Sequence, residues 1–186
     1  SPVSKLYRLS FPVASFTTLA VSNTSTVYGQ VDTLTATINS ASATGTVNFK
    51  NNGVSITGCG AVTVTSGSAV CTFSSLSVGT YTNKIMASYS GGGNYAASDS
   101  GYLTPLTVTK AELSVLPTAT SVVFGGTPTY AKTYSGFVNN DTITSSSFTT
   151  GLTPPTCVAA SYTTSTSVSS SPLSITCSGG SSSNYT

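Results

Sequence analysis

The chain has no histidine and no tryptophan, one methionine, and only four acidic and six basic residues in 186. General acid/base catalysis, metal binding and nucleophile activation draw on His, Asp, Glu, Lys and Cys, so these absences speak against an enzyme. Without histidine no Ser-His-Asp or Cys-His arrangement exists. The four carboxylates, Asp32, Asp99, Glu112 and Asp141, lie far apart and form no calcium-loop pattern. Gly91-Gly92-Gly93 lacks the Lys-Ser/Thr of a phosphate loop and reads as a turn. We therefore expect no catalytic residue, no cofactor and no metal. A net charge of +2 leaves no electrostatic footprint for nucleic acid. No apolar run approaches the ~20 residues of a membrane-spanning helix, and no membrane insertion is expected. The first residues, Ser1-Pro2-Val3-Ser4-Lys5, lack the basic and apolar regions of a signal peptide, which fits a processed chain or an excised fragment.

What is abundant is serine and threonine, at more than a third of positions, with ten tyrosines and seven phenylalanines. Period-2 alternation recurs. Leu34, Ala36 and Ile38 oppose Thr33, Thr35 and Thr37; Val47 and Phe49 oppose Thr46, Asn48 and Lys50; Ile85, Ala87 and Tyr89 oppose Lys84, Met86 and Ser88; Leu106 and Val108 oppose Thr107 and Thr109. Asn51-Asn52-Gly53, Ser66-Gly67-Ser68, Val78-Gly79 and Gly91-Gly92-Gly93-Asn94 punctuate these runs. Short strands at such spacing predict an all-β fold of antiparallel sandwiches, apolar faces inward and hydroxyls outward. The length admits two domains, and we place them at 16–109 and 110–186 behind an N-terminal extension, 1–15.

Four cysteines allow three pairings. Cys59 and Cys71 flank residues 61–68, which read as two strands around a turn, and Cys157 and Cys177 bracket a Ser/Thr-rich stretch. The expected pairs are Cys59–Cys71 and Cys157–Cys177, and they point to an oxidising compartment. Four reduced, buried thiols are the alternative. A zinc site is disfavoured because no C-x-x-C occurs. Lys132 with Asn139 or Asn140 and Glu112 is a conceivable isopeptide trio, although exposed side chains are the simpler reading. Asn23-Thr24-Ser25, Asn140-Asp141-Thr142 and Asn184-Tyr185-Thr186 match a glycosylation acceptor pattern that chance produces readily in this composition.

Residues 17–21 (TTLAV), Tyr28-Gly29-Gln30 and residues 34–38 (LTATI), then residues 43–50 (ATGTVNFK), 76–81 (LSVGTY) and 87–98 (ASYSGGGNYAAS) resemble the ordered motifs of bacterial Ig-like repeat domains. That resemblance implies a sandwich over about 16–109. Gly79 would permit the entry turn, and Tyr81 is a candidate tyrosine corner. From Lys110 onward, Tyr130, residues 134–142 (YSGFVNNDT) and the late Asn184-Tyr185-Thr186 resemble the MBG (mostly bacterial Ig-like) domain. Members of that family continue into one more strand, so the resemblance implies a second sandwich lacking its last strand. Both resemblances imply a secreted or cell-surface protein.

Residues 5–13 offer the complementary feature. Tyr7, Leu9, Phe11 and Val13 alternate with Arg8, Ser10 and Pro12 ahead of the first Ig-like strand. We expect this candidate donor strand to add to the second domain of another copy. Such head-to-tail self-association would build a fibre of non-enzymatic structural subunits. The alternatives are an extra edge strand on its own domain, where Pro12 is tolerated, and, at the level of function, an adhesin or glycan-binding module cut from a longer repeat protein. A binding module would present exposed loop aromatics, for which Tyr95, Tyr102 and Tyr162 are the candidates.

Overall fold

The computed structural model describes residues 10–170 and 173–186. Among the described residues, fifteen short strands account for nearly all regular structure. In the first half they are β1 (Thr17–Val21), β2 (Ser25–Val27), β3 (Asp32–Ile38), β4 (Thr46–Asn51), β5 (Val54–Ser55), β6 (Val62–Thr63), β7 (Ser68–Phe73), β8 (Gly79–Tyr81), β9 (Ile85–Tyr89), β10 (Ser98–Asp99) and β11 (Leu106–Thr109). In the second half they are β12 (Ser114–Ala119), β13 (Tyr130–Ser135), β14 (Thr156–Val158) and β15 (Thr176–Ser178). One helical turn, α1 (Ser146–Thr149), and a 3-10 turn, Val168–Ser170, interrupt the second half.

The chain divides into two compact units. The first comprises the described residues up to Thr26 with Gln30–Ser75 and Thr80–Thr107; the second comprises Val27–Gly29, Leu76–Gly79 and the described residues of Val108–Thr186. The first unit is an Ig-like sandwich. One sheet has the order β1-β3-β7, and the other has the order β10-β9-β4-β5, with β6 also on β4. A further small sheet has the order β2-β11-β8. Alternation sets which residues enter the core. On β3, Leu34, Ala36 and Ile38 are buried while the threonines between them are not. On the opposing sheet Val47, Phe49, Ile85, Ala87 and Tyr89 are buried. Each such large side chain contributes about 1.5–3 kcal/mol on leaving water.

The turns follow from backbone chemistry. Asn52 and Gly53 both take positive φ, +49° and +80°, which suits the two-residue hairpin joining β4 to β5. Ser66 and Gly67 do the same between the bridged residues Thr65 and Ser68. Here the sequence-based expectation needs correction. The turn forms, but the strands flanking it do not pair along their length: β6 joins β4 and β7 joins β3. The residues around the turn therefore leave for opposite sheets.

That change gives the first disulfide a different task. Cys71 lies on β7, while the Cys59 carbonyl accepts the Phe49 N–H of β4 at 3.0 Å. The Cys59–Cys71 bond consequently ties one sheet to the other instead of stapling a hairpin.

The second unit is thinner. Its two-stranded sheets are β12-β13 and β14-β15, the latter held by Cys157–Cys177 at directly opposed positions. Phe148, on α1, and Tyr185 are buried rings of this unit. They join Tyr134, Phe137 and Tyr28 in edge-on contacts with centroids 5.1–6.0 Å apart. Such pairs add about 0.5–1.5 kcal/mol each beyond burial. Residues 111–113 run parallel to 184–186: Ala111 N–H donates to the Asn184 carbonyl, Leu113 N–H to the Thr186 carbonyl, and Thr186 N–H to the Ala111 carbonyl.

Candidate interaction surface

Two of the four carboxylates are taken up by hydrogen bonds within the fold. Asp32 is buried at the start of β3, where its Oδ1 accepts hydrogen bonds from Ser22 Oγ, from Thr33 N–H at 2.7 Å and from Asn23 at 3.4 Å. Asp141 accepts the hydroxyls of Tyr28 at 3.0 Å and Tyr185 at 2.6 Å on one carboxylate oxygen, and Ser147 on the other. Burial, reinforced by that bond to Asp141, pushes the Tyr185 hydroxyl well above the ordinary tyrosine range. Among the described residues no cluster of three or more His, Cys, Asp or Glu could hold a metal ion. Lys132 donates its amine to the Pro155 carbonyl at 2.7 Å.

Tyr81 is buried at the end of β8, with burial raising its hydroxyl pKa and the Lys84 ammonium 5.7 Å from its ring centroid. Tyr95 accepts the Ser40 hydroxyl at 2.7 Å, Tyr162 donates to the Gly126 carbonyl, and Tyr102 is 58% exposed. Asn184 is buried and accepts the Val78 N–H at 3.0 Å, so it serves the fold and is closed to glycosylation. Gly29 is required where it stands: its φ is +83°, and a Cβ there would meet Val138 at 2.3 Å.

Of the candidate donor strand, Tyr7 and Leu9 lie outside the described residues. Phe11 is 77% exposed and Val13 56%. Val13 is not free, however. It forms a parallel bridge with Tyr95, donating its N–H to Asn94 and accepting from Ala96. This pairing within the first unit confines any donated stretch to the residues before it.

Other exposed apolar residues occur on both units, with Phe16, Val31, Val54 and Val70 on the first. On the second, Leu116, Val123, Phe124, Ile143 and Val168 are all exposed. A groove of about 530 Å³ opens among Val122, Phe124, Tyr130, Tyr162, Leu173 and Ile175, and no charged residue among those described lines it. A smaller hollow of about 100 Å³ lies by Leu113, Val115, Tyr134 and Phe148. The sequence led us to expect an apolar groove on a second unit short of a strand, but apart from Tyr162 it did not single out these lining residues, because β12 and β13 alternate like any half-buried pair.

Residues 19–109 match the family model of the bacterial Ig-like domain (group 3). The match begins within β1, runs through β11 and stops where the second half begins. No curated protein and no solved structure matches the chain. A bacterial Ig-like domain suggests a surface-protein module, and this family is typically non-enzymatic. The two disulfides fit the same extracellular setting. No helix among the described residues is long and apolar enough to cross a membrane.

Proposed function

We propose that the chain is a non-enzymatic structural module of an extracellular bacterial surface fibre, in which an Ig-like unit is followed by an MBG-like unit. Subunits associate head to tail when the N-terminal segment of one copy, within residues 5–13, adds as a strand to the C-terminal unit of the next. The observation that carries this reading is uncovered apolar surface of two matching kinds. The second unit leaves an uncharged groove open, with Phe124 69% exposed at its wall. The N-terminal segment presents Phe11 to solvent beside a run that alternates apolar and polar residues. Contiguous apolar patches of this sort are characteristic of interaction sites. A donor on one end and an acceptor on the other make a heterologous contact, which propagates into a filament unless it closes into a ring.

Electron microscopy of the purified full chain tests the proposal. Filaments with an axial repeat of about two domains are expected. Isolated particles at every concentration and ionic strength would refute it.

A further inference from the structure

Resting on the fibre reading above, we infer that the acceptor for the donated strand is one particular sheet edge: the outer edge of β12, from Leu113 to Ala119, entered in parallel by residues 5–12 of a second copy. Backbone bonding fixes which side of β12 is open. Bonds toward β13 fall on even-numbered residues, as where Thr120 N–H donates to Thr129, and those toward 184–186 fall on the odd-numbered Ala111 and Leu113. The same alternation turns the Leu113 carbonyl, the Val115 N–H and carbonyl, the Pro117 carbonyl and the Ala119 N–H to the outer side. Among the described residues no strand pairs there. Pro117 is consistent with such an edge, since proline has no N–H to give a central ladder.

The edge also leads from one hollow to the other. The smaller is lined by Leu113 and Val115 at its beginning, and the groove by Ala119 and Val122 at its end. A strand laid along it would satisfy the exposed backbone groups and drop alternate side chains into both hollows, as in other cases of strand addition. The N-terminal segment has the matching pattern in Tyr7, Leu9 and Phe11. Charge selects the direction. Lys5 and Arg8 lie toward the start of the donor, and the exposed Glu112 lies beside the start of the edge. Parallel entry brings these opposite charges to the same end.

Amide hydrogen exchange on the intact chain, followed residue by residue as concentration is raised through assembly, reads this contact. The expected result is at least tenfold slower exchange at Val115 and Ala119 in assembled material, with Leu116 and Thr118, already bonded to β13, little changed. Phe11→Asp, at an exposed site that leaves the fold intact, should abolish both the assembly and the added protection. Filaments in which Val115 and Ala119 still exchange freely, or that form undiminished from Phe11→Asp, overturn the edge assignment while leaving the fibre reading standing. Protection of both amides in the dilute monomer shows the edge filled within one chain and overturns donation between copies. A chain that stays monomeric throughout removes the fibre reading itself.

Discussion

Replacing Cys157 and Cys177 together by serine should destabilise the second unit while sparing the first. The bond closes a separation of 20 residues. In the chain-entropy account its loss restores to the unfolded chain about 3 kcal/mol of conformational freedom. The Cys59–Cys71 bond, with a separation of 12, is worth a similar amount. What differs is the reserve behind each. The first unit retains Leu34, Val47, Phe49, Ile85 and Leu106 fully buried across three sheets. The second relies on Phe148, Tyr185 and the rings about them, with β14 and β15 only three residues long. A loss of about 3 kcal/mol corresponds to a fall in melting temperature of roughly 12–24 °C for a domain of this size. Urea titration followed by NMR separates the two, with the amides of Phe49 and Ile85 reporting the first unit and those of Phe148 and Tyr185 the second. The double variant should shift only the second transition to lower urea. A shift equivalent to less than about 1 kcal/mol, or equal movement of both transitions, would refute the argument that this unit depends on its covalent bond.

Three further outcomes follow from the same contacts. Phe49→Ala, at a fully buried position on β4, should cost the first unit about 3–5 kcal/mol in denaturant titration. Tyr28→Phe removes one of the hydroxyls held by Asp141 and should cost the second unit about 1.5–3 kcal/mol. Because the folded state holds the Tyr185 hydroxyl above its unfolded value, its contribution is complete below about pH 10 and falls as pH rises further. Alkaline unfolding of the second unit, with phenolate absorbance from Tyr185 appearing only as it unfolds, is the expected signature; ionisation in the folded state at ordinary tyrosine pH would contradict it.

The first unit was legible because its information is local. Leu34-Thr35-Ala36-Thr37-Ile38 can bury one face only as a strand, and Asn52-Gly53 supplies the two positive φ angles that its hairpin needs. Partner choice was not local. Ser66-Gly67 announces a turn, yet whether its flanks pair with each other or with β4 and β3 depends on residues far along the chain. The second unit was harder to read for the same reason. Ser146–Thr149 carries no capping box or sustained helical period, and its turn is held by burial of Phe148. Asn184 looked like a chance glycosylation match and proved to be a buried acceptor for Val78. The Tyr28–Asp141–Tyr185 arrangement joins side chains more than a hundred positions apart, beyond any local pattern.

The two covalent bonds also bear on behaviour under mechanical load. If traction drew the chain out from its ends, the segments enclosed by the bonds, with separations of 12 and 20 residues, could not lengthen. Fully extended, they would span roughly 40 Å and 70 Å. Each molecule thus withholds that contour from stretching, and a pulled tether would yield in shorter steps until reductant released the remainder.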